Sequence, residues 1–234
     1  MSVPIQPRDE AGSLSYMTYT GHVEVGGPAQ VHELTALTIS KVAVGQYNNN
    51  SYLLRCAATG EQILIDAAAE PERLLSLIGP DGISLVVTTH QHGDHWAALA
   101  DVLIATGAQH GASAIDGAAI DAPLNRVIAE GDLVTVGQVS LRAVELVGHT
   151  PGSIALIYDD PDGSPHCFTG DCLFPGGVGN TWNDPERFAS LIGDVEEKIF
   201  NALPDETWVY PGHGDDTTLG AERPSVNEWR ERGW

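Results

Sequence analysis

VVTTHQHGDHW, residues 86–96, is half core and half chemistry. The residues ISLVVTTH (83–90) read as a buried strand that delivers polar groups at its end. His90 and His92 are two apart, so in extended backbone they face the same side. Gly93 permits an unusual backbone angle, after which the chain can bend and present Asp94 and His95 in a new direction. Imidazole and carboxylate suit Zn²⁺, Fe or Mn²⁺. Four such groups within six residues crowd one small ion, and two adjacent ions fit the count better.

The same local context recurs three times further along. In ELVGHTPGS (145–153), CFTGDCLF (167–174) and WVYPGHG (208–214), a polar residue follows an apolar segment and is flanked by glycine or proline. Strand ends converging on one rim would bring His149, Asp171 and His213 to the first cluster. His22, His32, His110 and His166 lack this pattern and read as surface or hydrogen-bonded core residues.

Around these motifs, strands are expected at 37–44, 51–57, 61–67, 83–90, 125–129, 132–137, 139–147, 153–159, 166–171 and from 207. Helices are expected at 71–79, with Pro71 at its start and Gly79 as its stop, at 96–107, at 185–203 and from near Thr218. A strand-rich half, helices, a second strand-rich half and more helices suit an α/β sandwich with helices outside. Residues 1–35 read as an N-terminal extension packed on the domain, with a short hairpin over 16–25, and residues 36–234 as one catalytic domain.

Composition bounds the function. Thirty-two acidic residues against eleven basic ones give a formal net charge of −21, a surface that repels nucleic acid and anionic membranes. No apolar run is long enough to span a bilayer. The start does not read as a secretory signal, and three cysteines are too few for a disulfide scaffold, so the expected compartment is the cytoplasm.

Taken together, THQHGDH (89–95), GHTPGS (148–153), TGDCLF (169–174) and PGHG (211–214) resemble the metallo-β-lactamase superfamily over about residues 37–222. GGVG (176–179) resembles its glyoxalase II-like (hydroxyacylglutathione hydrolase-like) branch. The resemblance implies an αββα four-layer sandwich with metals at one edge. It implies that His90, His92 and His149 bind a first divalent ion, zinc before iron or manganese, and that Asp94, His95 and His213 bind a second. Asp171 would bridge the two, and Asp94 would also orient the attacking water and handle its proton. The implied activity is metal-dependent hydrolysis of a small thiol ester, since a thiolate leaves with little protonation.

Two further readings stay open at this stage. One is a persulfide dioxygenase with a single iron on His90, His149 and Asp171. The other is a non-catalytic binding protein on the same fold. β-Lactamase activity is disfavoured because the zinc β-lactamases lack the aspartate found at Asp171. Among the neighbours, Asn180 and Trp182 are expected to line the substrate pocket, and Thr150 and Ser153 either to orient His149 or to shape the turn. Cys172 is expected to be a buried structural thiol and Trp96 a helix-packing residue. Arg187 and Arg223 are the cations considered for a substrate carboxylate, each reading more readily as an ion-pair residue. The helical C-terminal region that holds glutathione in long glyoxalase II enzymes has no counterpart in the 21 residues after His213. TTLGAERP (217–224) resembles the C-terminal segment of a short form.

Overall fold

The strands of this chain are apolar on both faces, and the architecture explains why. A computed structural model describes residues 19–233. Strands β1 (Gln30–Glu33), β2 (Leu37–Val44), β3 (Asn49–Cys56), β4 (Gln62–Ile65), β5 (Leu85–Val87), β6 (Gln109–Ala112) and β7 (Arg126–Val127) form one sheet in chain order. β8 (Leu133–Val136), β9 (Val139–Glu145), β10 (Ile154–Tyr158), β11 (His166–Gly170), β14 (Trp208–Pro211) and β15 (Thr217–Thr218) form the second, in the order β15-β14-β11-β10-β9-β8. A small hairpin, β12 (Leu173–Phe174) with β13 (Gly177–Val178), lies between β11 and β14 in sequence.

Alternate residues of each strand serve different cores. Leu37, Ile39, Tyr52, Leu54, Ile63 and Ile65 meet Leu141, Ile154, Leu156, Phe168 and Tyr210 between the sheets. Val42, Val44, Leu53, Leu64 and Val86 face outward, onto helices α1 (Pro71–Ile78) and α2 (Leu99–Thr106). On the other side Val144, Ala155, Ile157, Cys167 and Val209 pack on α4 (Pro185–Asp194) and α6 (Val226–Arg232); the short α3 (Ala114–Gly117) and α5 (Leu219–Glu222) complete the helices. The result is the expected αββα sandwich. Its helix ends are chemically specified: Asp184 caps α4 by accepting from Glu186 and Arg187 amides, and Thr218 caps α5 by accepting from Ala221.

Several elements differ from the sequence expectation. The strand expected over 83–90 closes at Val87: Thr88 N–H makes the last ladder bond to Gly111 O of β6, after which Thr89 N–H donates to the Asp66 carboxylate and Thr89 O accepts from Ile154 of the opposite sheet. The helix expected over 185–203 is α-helical only to Asp194 and continues as a π-helical turn through 195–200. Strands β1, β6, β12, β13 and β15 fall outside the expected set. Residues 16–18 of the expected hairpin lie outside the described residues, and 19–25 form no strand. Among the described residues no helix is long and apolar enough to cross a membrane.

Candidate metal centre

Five strand ends meet at one edge of the sandwich. β4 leads into Asp66, β5 into His90–His95, β9 into His149, β11 into Asp171 and β14 into His213. All seven residues expected at the site are brought together there. Possible ligand atoms form compact trios, each within 4.8 Å: His90, His92 and His149 on one side, Asp94, His95 and His213 on the other, and His90, His95 and Asp171 across the middle. Asp171 Oδ1 is 3.3 Å from His95 Nε2, and its Oδ2 is 3.3 Å from His213 Nε2, 3.6 Å from His149 Nε2 and 4.0 Å from His90 Nε2. It faces both sides at once.

Hydrogen bonds on the outward nitrogens fix the inward ones. The Asp66 carboxylate can only accept, so His95 Nδ1, 2.8 Å away, carries a proton and leaves a lone pair on Nε2. His213 Nδ1 donates to Tyr47 O at 2.8 Å, which bares its Nε2 in the same way. These two bare nitrogens are 3.1 Å apart. Opposed lone pairs at that distance repel unless a cation lies between them. On the other side, His149 Nδ1 donates to Asn180 O at 2.9 Å, so its Nε2 is also bare, 2.9 Å from His92 Nδ1. Thr89 Oγ1 gives its proton to Asp66 and accepts from His90 Nδ1 at 3.0 Å. That leaves His90 Nε2 buried with no hydrogen-bond partner. An orphaned buried imidazole nitrogen, in a group of nitrogens and carboxylates, fits divalent cations.

Electrostatics agree. Burial holds His90 and His92 below the ordinary histidine range and takes His149 to about 4, which keeps these rings neutral and able to ligate. Burial opposes charge on His95 too, but the Asp171 and Asp66 carboxylates outweigh it and lift this ring to about 10. His213 is raised by Asp171 against the same desolvation. Asp171 is held well below the carboxylate range despite its burial, chiefly by His95. The pocket favours positive charge between Asp171, His95 and His213.

The backbone leaves no slack around these groups. A Cβ on Gly212 would lie 2.1 Å from Asp171 Oδ1 and 2.7 Å from His95 Cε1; one on Gly179 would lie 1.8 Å from Asp171 O. Both glycines are needed for close approach.

The neighbours sort differently from the sequence expectation. Thr150 and Ser153 do not touch His149; they bond each other, and Thr150 donates to Asp116, which also accepts from the Gln91 amide at 3.0 Å. Asp116 thus ties the 89–95 loop to the 148–153 loop. His149 is set by the Asn180 carbonyl instead. Trp182 stacks on His149 at 5.4 Å and meets His92 edge-on at 5.5 Å, with the Arg187 guanidinium 4.5 Å from its ring. Arg187 also donates to Gly148 O and His149 O, and Arg223 is held by Asp205, Phe200 O and Leu203 O. Neither is spare for a substrate carboxylate. Cys172 is fully buried and its thiol is pushed up by burial, as a structural residue would be. Trp96 packs beside the helices, its Nε1 donating to Gln91 O. The four other histidines lie outside the cluster: His110 on Thr88, His32 and His166 on the Tyr210 hydroxyl, His22 on Asp215.

Sequence reasoning missed Asp66, Asp116, Asn49 and the Tyr47 carbonyl. Asn49 Nδ2 donates to Asp94 Oδ2 at 2.9 Å. Asp66 had a usable signal: an acidic residue directly after the apolar run ILI, here at φ 55°, a left-handed angle that turns its carboxylate toward Thr89 and His95.

Known proteins resemble this chain in sequence and in fold. A hydroxyacylglutathione hydrolase from Polaromonas sp. is 38% identical over 170 residues, 71% of this chain and 62% of the relative, so the chain spans under two thirds of that protein. The structure of TTHA1623 in a di-iron-bound form is 32% identical with a TM-score of 0.65, covering 78% of this chain and 96% of that one. The structure of ETHE1 from Myxococcus xanthus is 27% identical with a TM-score of 0.71, covering 82% and 84%. The model of the metallo-beta-lactamase superfamily matches residues 44–213, from the end of β2 to the last of the seven site residues. This chain, with its divalent-metal fold and its histidine–aspartate edge, belongs to the metallo-β-lactamase superfamily.

Proposed function

We propose that the protein is a binuclear metal-dependent hydrolase that cleaves a thioester of a small thiol, of the glyoxalase II type. The observation that carries the reading is the completeness of both trios around Asp171, with His95 and His213 turned toward each other through bare nitrogens 3.1 Å apart. His90, His92 and His149 would hold one ion, Asp94, His95 and His213 the other, and Asp171 both. Zinc is the first choice, and iron or manganese suits the same donors. Bound divalent cations lower the pKa of water and polarise a carbonyl. The chain's own residues supply the rest. Asp94, partly exposed and fixed by Asn49, orients the attacking water and takes up its proton. Trp182 and Asn180 form a wall of the substrate pocket beside His92 and His149. A thiolate leaving group needs no dedicated acid, and none is called for here.

The likeness to hydroxyacylglutathione hydrolases supports thioester chemistry, and the likeness to a di-iron form supports two ions. The alternative of a single-iron persulfide dioxygenase on His90, His149 and Asp171 leaves the trio Asp94, His95 and His213 without a purpose. The test is metal analysis of freshly purified protein paired with a thioester panel and an O₂ electrode. Two ions per chain, thioester turnover and its loss in Asp94→Asn are expected. One iron with persulfide-dependent O₂ uptake, or a metal-loaded protein inert to every ester and thioester, would overturn the reading.

A further inference from the structure

The loops that surround the metal centre carry no lysine or arginine. Residues 45–50, 89–98, 146–153, 171–184 and 211–218 contain none, while they contribute Asp94, Asp171, Asp184, Asp215 and Asp216. Among the described residues, four cations reach these loops from elsewhere, and each is committed; Arg230, beside Asn183 and Asp184, pairs with Glu196. Lys41 is wholly buried, its ammonium bonded to Gly21 O, Gly214 O and Asp216. Arg187 is spent on two carbonyls and the Trp182 ring. Arg232 donates to Gly176 O and pairs with Glu228. The rim instead offers aromatic and amide surface: Tyr47 and Trp182 are 62% and 51% exposed, Phe174 lies 6.3 Å from His213, and Gln91, Asn48 and Asn180 are accessible. Even two divalent ions would leave little surplus charge, since Asp66, Asp94 and Asp171 offset three of the four positive charges. Beyond the rim lies a surface of formal charge −21.

We infer that the thiol carrier of the substrate is uncharged, bearing neither carboxylate nor phosphate. This inference rests on the thioesterase reading and specifies its substrate class. A carrier of net negative charge would approach against the field of the whole molecule and find, among the described residues, no uncommitted lysine or arginine on the rim. An uncharged polar carrier meets ring faces and amides that it can stack on and hydrogen-bond to. The relatives' printed substrate, a hydroxyacylglutathione, carries two carboxylates, so this chain would differ from them in the carrier while sharing the bond that is cleaved.

The test keeps the carrier skeleton and removes its three ionised groups with small caps, one acetyl and two methyl groups. S-lactoylglutathione is compared with the lactoyl thioester of N-acetylglutathione dimethyl ester, on the metal-loaded protein. The expected result is a kcat/KM at least roughly tenfold higher for the uncharged ester at low ionic strength, with the gap narrowing in about 0.5 M NaCl as screening removes the repulsion. Equal or better use of the anionic ester at low salt would overturn the inference. The S-propyl thioethers of the same two carriers are titrated calorimetrically, so that binding is read without turnover. If neither ester is hydrolysed, the thioesterase reading fails, and the thioethers still decide: tighter binding of the uncharged one supports the inference, while equal binding, reversed order or no binding of either refutes it.

Discussion

Replacing Asp66 by asparagine changes one heavy atom in a buried side chain and should weaken one of the two proposed metal sites. Oδ1 accepts from the Thr89 amide at 2.7 Å, and Oδ2 accepts from Thr89 Oγ1 at 2.8 Å and from His95 Nδ1 at 2.8 Å. Asparagine keeps the first bond through its carbonyl. Its amide nitrogen then points a donor at the His95 Nδ1 proton. The ring relieves that clash by moving its proton to Nε2, the nitrogen that faces His213 and the second ion. Losing such an outer partner weakens metal binding by about 10- to 100-fold, or about 1.4–2.7 kcal/mol. His90 touches Asp66 only through Thr89, so the first site should lose much less. Competition with a chromophoric chelator reads both affinities, and circular dichroism confirms that the isosteric variant is folded. Two sites in Asp66→Asn each within threefold of wild type would refute the reasoning that Asp66 sets the His95 tautomer.

Other substitutions probe the supports of the edge. Lys41→Met leaves the fully buried Asp216 carboxylate without its cation and should cost about 3–5 kcal/mol in urea unfolding, because the unpaired charge has lost its compensation. Gly212→Ala drives a methyl into Asp171 and His95, so metal stoichiometry should collapse while far-ultraviolet circular dichroism stays native. Arg187→Met frees the Gly148 and His149 carbonyls and one side of Trp182; chelator competition should show the loss falling on the site that contains His149.

Much of this edge could be read from sequence because its ligands sit where local rules are strong. An apolar run followed by histidine or aspartate beside glycine marks a strand end, and that signal located His90–His95, His149, Asp171 and His213. The sandwich was legible from the alternation of strand-rich and helical stretches, and its four αββα layers from the family resemblance that the histidine and aspartate motifs carry. The groups that aim the ligands were harder. Asp66 is one of 32 acidic residues, and its role exists only after β4 and β5 pair in parallel and its backbone turns left-handed. The carbonyls of Tyr47 and Asn180 carry no side-chain signature at all. Of the two roles open to Thr150 and Ser153, shaping the turn matches their bonds, and their partner Asp116 was illegible because it reaches them from a helix more than 30 residues away in sequence. Strand β6, Gln109–Ala112, lacks an apolar pattern because His110 and Gly111 fill its buried positions through contacts with Thr88, Asn125 and Ile128.

The most direct test of the account is a count of tightly bound divalent ions, by equilibrium dialysis of metal-stripped protein against zinc followed by elemental analysis. The account predicts two ions per chain, falling to one in His213→Ala with the remaining ion retained by the His90, His92 and His149 side. One ion per chain in the unaltered protein, or two retained after His213→Ala, would contradict it.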